Sequence, residues 1–181
     1  MDFFLKPSAA KLEAEKDNVK KREELQSLCF ACNNTVFGFR GIFRPHQLDI
    51  VTAVMQNEDV YVIMPTGGGK SLCYALPAVL SPGVTVVISP LLSLIEDQVS
   101  AFLSLKCGGI PSAYLTSGST VSQKNAILED LRRSRRGLEP FLKLLYMTPE
   151  RAANDIETQQ LLNDLYQNER LARFVVDEAH W

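Results

Sequence analysis

Two regimes of hydrophobic spacing divide the chain. Residues 6–28 are dense in Lys, Glu and Ala, with Leu12, Val19, Leu25 and Leu28 thinly spaced among them. That pattern predicts a solvated helix with one narrow apolar stripe. A partner-binding coiled coil is the alternative, although three heptads are not sustained. Residues 29–42 read as a connection, with Asn33-Asn34-Thr35, Gly38 and Gly41 as turn signals. From Phe43 onward helical and strand patterns alternate. The spacing predicts a helix over 44–56, a strand over 60–64, a helix over 70–80 and a strand over 84–88. A helix over 91–105, a strand over 113–115, a helix over 120–134 and a strand over 142–146 follow, and then a helix over 157–168 and a strand over 173–177. Such alternation with short loops predicts an α/β fold with a mainly parallel sheet, right-handed crossovers and helices on both faces. No internal repeat or low-complexity segment is present.

One junction in this pattern carries chemistry. The β-branched run Val60-Tyr61-Val62-Ile63 leads into Met64-Pro65-Thr66-Gly67-Gly68-Gly69-Lys70-Ser71, and Leu72-Cys73-Tyr74-Ala75-Leu76 continues as a helix. Gly67, Gly68 and Gly69 let backbone N–H groups turn inward without Cβ clashes, which builds an anion-binding nest. The helix N-terminus adds partial positive charge at the same spot. In this phosphate-loop arrangement Lys70 reaches the β- and γ-phosphates and the Ser71 hydroxyl coordinates Mg²⁺. The strict pattern has Gly where this chain has Met64. The bland alternative is a glycine-rich turn that binds nothing.

A second junction lies after Arg173-Phe174-Val175-Val176, where Asp177-Glu178-Ala179-His180 follows a buried-strand pattern. Open α/β sheets bind ligands beyond the C-terminal ends of their strands. Asp177 is thus placed to hold Mg²⁺, which takes one or two carboxylates plus phosphate oxygens. Glu178 faces another direction and is a candidate to polarise an attacking water. An Asp-Glu pair after a strand is common on surfaces; with the glycine loop it becomes a nucleoside triphosphatase signature.

Composition narrows the class. The chain has 181 residues, 46% hydrophobic and 22% charged, enough for one domain with a real core. The start, Met1-Asp2-Phe3-Phe4-Leu5-Lys6-Pro7, is too short and too soon charged for a secretory signal, and no apolar run approaches the ~20 residues that span a membrane. An intracellular protein is expected. A net charge of −2 argues against an overall electrostatic nucleic-acid binder, without excluding a local grip. Cys29 and Cys32 have the spacing of half a zinc site or a redox pair, but no second pair completes it, so reduced thiols are expected at 29, 32, 73 and 107. Cys73 is expected to pack under the phosphate loop as a small hydrophobe.

These motifs, in this order, resemble the RecQ-type DNA helicases of superfamily 2. Val62 to Ala78 looks like motif I of that family, Ile88-Ser89-Pro90-Leu91-Leu92-Ser93-Leu94-Ile95-Glu96-Asp97-Gln98-Val99 like motif Ia, and Leu145-Tyr146-Met147-Thr148-Pro149-Glu150-Arg151 like motif Ib. Asp177-Glu178-Ala179-His180 looks like motif II, and Phe37-Gly38 with Phe43-Arg44-Pro45-His46-Gln47 resembles the adenine-recognising motif 0. Four residues separate Phe37-Gly38 from Phe43-Arg44, one more than the family pattern, and Trp181 follows His180 directly. The resemblance covers residues 35–181. It implies an incomplete P-loop RecA-like three-layer fold, the first RecA-like domain of a helicase core truncated just after motif II, preceded by a charged helical extension and connection over 1–34.

The resemblance also assigns residues. Arg44 and Gln47 would meet the adenine, the carboxamide matching its N6 and N7 edge; a surface glutamine is the alternative. Thr66, Gly67, Gly68, Gly69, Lys70 and Ser71 would cradle the phosphates of ATP, Ser71 and Asp177 would hold Mg²⁺, and Glu178 with Lys70 would serve hydrolysis. Ser89, Leu91, Ser93, Thr148 and Arg151 would touch the sugar-phosphate backbone of single-stranded or forked DNA, positioning it without reading sequence. For most of the motif Ia leucines plain core packing is expected. Arg132-Arg133-Ser134-Arg135-Arg136 reads as a solvated helix end or a DNA patch, and His180 as a link between ATP state and strand binding. The implied function is the ATP-binding part of a 3′-to-5′ DNA helicase, nuclear if eukaryotic and otherwise cytoplasmic, with a second RecA-like domain as partner and no membrane. A DEAH-type RNA helicase fragment and a non-catalytic nucleotide-binding or interaction module stand as alternatives. In the family topology a later strand separates strand 60–64 from strand 173–177, so a gap between these two and an unstable isolated chain are expected.

Overall fold

The computed structural model describes residues 9–39, 42–65 and 67–178, with side chains described from Asp17 onward. Helix α1 (Ala9–Cys32) and helix α2 (Gln47–Met55) precede helix α3 (Lys70–Leu80), which leads into strand β1 (Val84–Ile88). Then come α4 (Leu92–Leu103), β2 (Ser112–Leu115), α5 (Val121–Arg132), β3 (Leu144–Met147), α6 (Pro149–Asn154), α7 (Ile156–Gln167) and β4 (Leu171–Val176). The four strands form one sheet in the order β2-β3-β1-β4, and every ladder is parallel. Parallel neighbours require crossovers, which α4, α5 and the α6–α7 pair supply.

The alternation along each strand sorts side chains into two cores. Val87, Leu144 and Tyr146 point to one face, where they meet Leu72, Tyr74 and Leu76 of α3, Ile95 and Val99 of α4, Val51 of α2, and Cys29 and Cys32 of α1. Val84, Val86, Leu145 and Met147 point to the other, against Leu128 and Leu131 of α5 and Leu161 and Leu165 of α7. All four β3 residues are fully buried, as a strand covered on both faces should be. Each such side chain stabilises the fold by about 1.5–3 kcal/mol relative to exposure. Local signals reinforce the packing. Thr120 and Gln123 form a capping box at the start of α5, and Thr148 caps α6 with Pro149 at the first helical position.

Three sequence expectations are corrected. The run 60–64 forms no strand. Tyr61 and Ile63 are 77% and 85% exposed, and the segment takes no ladder partner. β-Branched residues favour a strand only where a neighbouring strand offers hydrogen bonds and packing. Strand β4 pairs with β1 alone among the described residues, and its Phe174 and Val176 are 56% and 64% exposed although their register partners Val86 and Ile88 lie inside or half inside. Nor do residues 29–42 act as a plain connection. Helix α1 runs to Cys32 and continues as a π-helical turn over Asn33–Phe37, stopped by Gly38 at φ 72°. Burial of Cys29, Cys32 and Phe37 in the first core overrides the polar turn signals, and the buried Asn33 donates from Nδ2 to the Ile42 carbonyl at 3.3 Å. Finally, the helix expected over 157–168 is preceded by a separate one, α6, because Pro149 starts a turn that Thr148 caps.

The basic run is a latch between helices. Arg132 meets Glu157 at 2.9 Å, Arg135 meets Asp164 at 2.5 Å, and the Arg133 guanidinium lies 4.0 Å over the Phe141 ring. The ion pairs are exposed, so their stabilisation is small.

Backbone amide exchange tests this division. The amides of Tyr61–Met64 should exchange at unprotected rates while those of β3 are among the slowest in the chain. Replacing Phe174 and Val176 together by Thr should raise solubility with little change in thermal midpoint. Equal protection of the two segments would place 60–64 in a ladder.

Candidate nucleotide site and strand-facing rim

The site assembles where the sheet's C-terminal edge meets the start of α3. The loop ahead of α3 folds back on itself, with Gly68 N–H donating to the Pro65 carbonyl at 2.9 Å. Gly67 and Gly69 take φ of 75° and 91°, conformations that favour glycine. A Cβ on Gly69 would lie 2.4 Å from Gln47 Nε2, and one on Gly68 would lie 2.8 Å from the Pro65 carbonyl oxygen. The first N–H groups of α3 have no intrahelical partner and face this cradle.

Motif 0 is strapped to that loop. Gln47 is buried; its Oε1 accepts from Arg44 N–H at 2.8 Å and its Nε2 donates to the Gly69 carbonyl at 3.0 Å. The Arg44 guanidinium donates to the Gly67 carbonyl. These bonds leave one amide proton and one lone pair on the Gln47 carboxamide. Thr66 and His180 lie outside the described residues.

Across the cradle, β4 delivers the acidic pair. Asp177 N–H donates to the Ile88 carbonyl at 2.9 Å, extending the β1–β4 ladder by one rung. Glu178 then takes φ 57°, which turns the chain back toward α3. Its carboxylate lies 3.6 Å from the Lys70 ammonium, with both side chains about a quarter exposed (28% for Lys70, 22% for Glu178). Asp177 is buried; its Oδ1 accepts from Glu178 N–H at 3.0 Å and its Oδ2 from Gln98 Nε2 at 3.4 Å. Gln98 Oε1 accepts from the Tyr74 hydroxyl at 2.5 Å, and Tyr74 meets the Tyr146 hydroxyl at 3.1 Å. Burial pushes both phenols well above the usual tyrosine range, so each remains a donor. Cys73 is buried beneath the loop, its thiol pushed up to about 11 by burial, and its Sγ lies 3.9 Å from the Gly69 carbonyl oxygen. Cys29, Cys32, Cys73 and Cys107 are all free thiols.

The donor set suits Mg²⁺ with a nucleotide. A serine hydroxyl and one pre-oriented carboxylate are hard oxygen ligands that leave positions for phosphate oxygens and water. No group of three His, Cys, Asp or Glu residues that could hold a metal occurs among the described residues.

Of the residues expected at the strand-binding rim, Thr148 and Arg151 line a groove of about 690 Å³ together with Pro90, Leu92 and Ser117, whereas Ser89, Leu91 and Ser93 do not line it. Leu91 and Ser93 are exposed, whereas Ser89 is buried with its Oγ unpartnered. The Arg151 guanidinium is already engaged, by Asp155 at 2.5 Å, Thr158 Oγ1 at 3.4 Å and the Thr116 carbonyl at 3.5 Å. Sequence reasoning missed Tyr74, Gln98 and Tyr146. Their signal was a polar residue one turn from Ile95 on an apolar helix face, and two hydroxyl-bearing aromatics within core runs.

Residues 44–181 fit the DEAD/DEAH box helicase family, and the chain belongs to that family. It is 47% identical over 138 residues to the RecQ-like DNA helicase BLM of Xenopus laevis, covering 76% of this chain and 10% of that protein. It is 47% identical over 146 residues to the ATP-dependent DNA helicase Q5 of Rattus norvegicus, covering 80% and 14%, and 42% identical over 142 residues to the ATP-dependent helicase SGS1 of Saccharomyces cerevisiae, covering 76% and 9%. The chain thus spans about a tenth of the length of these relatives.

The cradle geometry predicts unequal glycines. Gly69→Ala should weaken binding of a fluorescent ATP analogue the more strongly, because its methyl displaces the Gln47 carboxamide in addition to left-handed strain at φ 91°. Gly67→Ala, whose Cβ meets nothing within 4 Å, should show only left-handed strain of about 1–2 kcal/mol. Equal effects in a nucleotide titration would remove the Gln47–Gly69 contact as the cause.

Proposed function

We propose that the chain is the ATP-binding part of an ATP-dependent 3′-to-5′ DNA helicase, from a protein that couples hydrolysis to movement along a single strand and to duplex unwinding. The convergence of Lys70 and Glu178, 3.6 Å apart at the mouth of the glycine loop and beside Asp177, carries this reading. Motif 0 strapped to the same loop, and relatives whose names are DNA helicases, support it further.

Each residue has a role that follows from its place. The Gly67–Gly69 backbone and the α3 N-terminus receive the phosphates. Lys70 leaves Glu178 for the β- and γ-phosphates, and Ser71 with Asp177 would hold Mg²⁺, which when bound neutralises phosphate charge. Glu178, released from Lys70, orients water and accepts its proton. Gln47 and Arg44 meet the adenine. The rim of Ser89, Leu91, Ser93, Thr148 and Arg151 faces the DNA backbone. An arginine finger, worth about 10³–10⁵ in rate, would come from a second RecA-like domain as partner. The named relatives are eukaryotic, which favours a nuclear site of action. No helix among the described residues is long and apolar enough to cross a membrane.

Lys70→Ala should weaken binding of the ATP analogue by roughly ten- to a hundredfold, the value of a charge-assisted hydrogen bond. Glu178→Gln should bind nearly as the parent does. Equal losses in both would reverse the role assignment. Gln47→Ala should blunt the preference for ATP over GTP, and an unchanged preference would return Gln47 to a purely structural strap.

A further inference from the structure

A chain of side-chain hydrogen bonds leads from the sheet interior to the proposed metal carboxylate, and its direction is fixed by chemistry. Tyr146 is fully buried and Tyr74 nearly so. Tyr74 has a single proton, which goes to Gln98 Oε1 at 2.5 Å. Tyr146 is therefore the donor in the 3.1 Å contact between the two phenols. With its oxygen facing Tyr74, the Gln98 amide turns its NH₂ toward Asp177 Oδ2, 3.4 Å away. An ionised carboxylate accepts only, so both ends of the amide agree on one orientation. Asp177 Oδ1 is held independently by Glu178 N–H at 3.0 Å. The carboxylate is thus clamped at both oxygens, with one clamp from its own turn and one from α4.

Gln98 stands on a helix that begins immediately after the exposed Leu91 of the rim. Ile95 and Val99 of the same helix are buried in the first core, which holds the Gln98 position to the sheet. We propose that Gln98 is a positioning residue, fixing from α4 the orientation in which Asp177 holds the divalent cation of the nucleotide complex. This rests on the nucleotide–metal reading above and extends it to a residue that touches neither nucleotide nor metal. A displacement of α4 at its rim end would pass to the metal carboxylate through one amide.

The test is a Mg²⁺ titration of fluorescent ATP-analogue binding to this chain, with binding in EDTA as the metal-free reference. Gln98→Ala should raise the Mg²⁺ concentration for half-maximal enhancement by about tenfold or more, the usual cost of losing a group that orients a metal ligand. Metal-free affinity should not change. Tyr74→Phe keeps the ring in the core and removes the donor to Gln98 together with the acceptor of the Tyr146 hydroxyl, so it should shift the midpoint the same way by less. Asp177→Asn is the control for the metal reading. If Asp177→Asn shifts the midpoint while Gln98→Ala and Tyr74→Phe do not, Gln98 positions nothing and the metal reading survives. If Gln98→Ala lowers metal-free affinity by the same factor, its role is general support of the fold and the proposal is overturned. If Asp177→Asn shifts nothing, the metal reading and the proposal fall together.

Discussion

The hydrogen bond from Asp177 N–H to the Ile88 carbonyl, at 2.9 Å, is the rung on which the site depends. It is the last link of the β1–β4 ladder and sits where both strands leave the sheet. On one side of it β1 opens into Ser89 and the rim loop; on the other, β4 ends in the acidic pair. Because the ladder is parallel, both exits lie at the same edge. The left-handed turn at Glu178 then aims a carboxylate at Lys70 instead of continuing along the strand. Slippage of β4 by one residue would exchange the faces of Asp177 and Glu178 and dismantle the arrangement.

The second constraint is exclusion by volume. Gly69 has no room for a methyl because Gln47 occupies that space, and Gln47 is there because its two amide ends bond Arg44 N–H and the Gly69 carbonyl. The segment that carries Arg44 and Gln47 and the glycine loop are thereby made one body. Helix α1 joins them from behind through Cys29, Cys32 and Phe37, and through an exposed Arg22–Asp49 contact to α2.

Much of this was legible in the sequence, for identifiable reasons. Helix α3 and strand β1 have the expected bounds because glycine, lysine and β-branched runs mark them locally. Lys70 lies 3.6 Å from Glu178, and Gln47 bonds the Gly69 carbonyl of the glycine loop. The exceptions have a common origin in partners distant along the chain. Val60–Met64 has strand propensity without a neighbouring strand, and propensity alone does not close a ladder. Residues 33–37 carry turn signals, yet core burial of Phe37 and the bond from Asn33 to Ile42 hold them helical. Arg151, which the resemblance sets against a sugar-phosphate backbone, has its guanidinium engaged by Asp155, Thr158 and Thr116, neighbours that only the folded chain reveals. The Tyr146–Tyr74–Gln98–Asp177 sequence of bonds joins four elements and has no local signature at all.

The bare run ahead of the glycine loop bears on how tightly any ligand is held. The glycine loop is held by α3 and by the bonds from Gln47 and Arg44, with no ladder on its other side among the described residues. Only the fraction of molecules with the loop correctly closed accepts a nucleotide, and the observed dissociation constant is the intrinsic one divided by that fraction. A strand added beside Val60–Met64 would touch no ligand atom, yet would raise that fraction. Sheet completion at this point would act as a positive heterotropic effector of nucleotide affinity, with reciprocal strengthening of the added strand by the nucleotide.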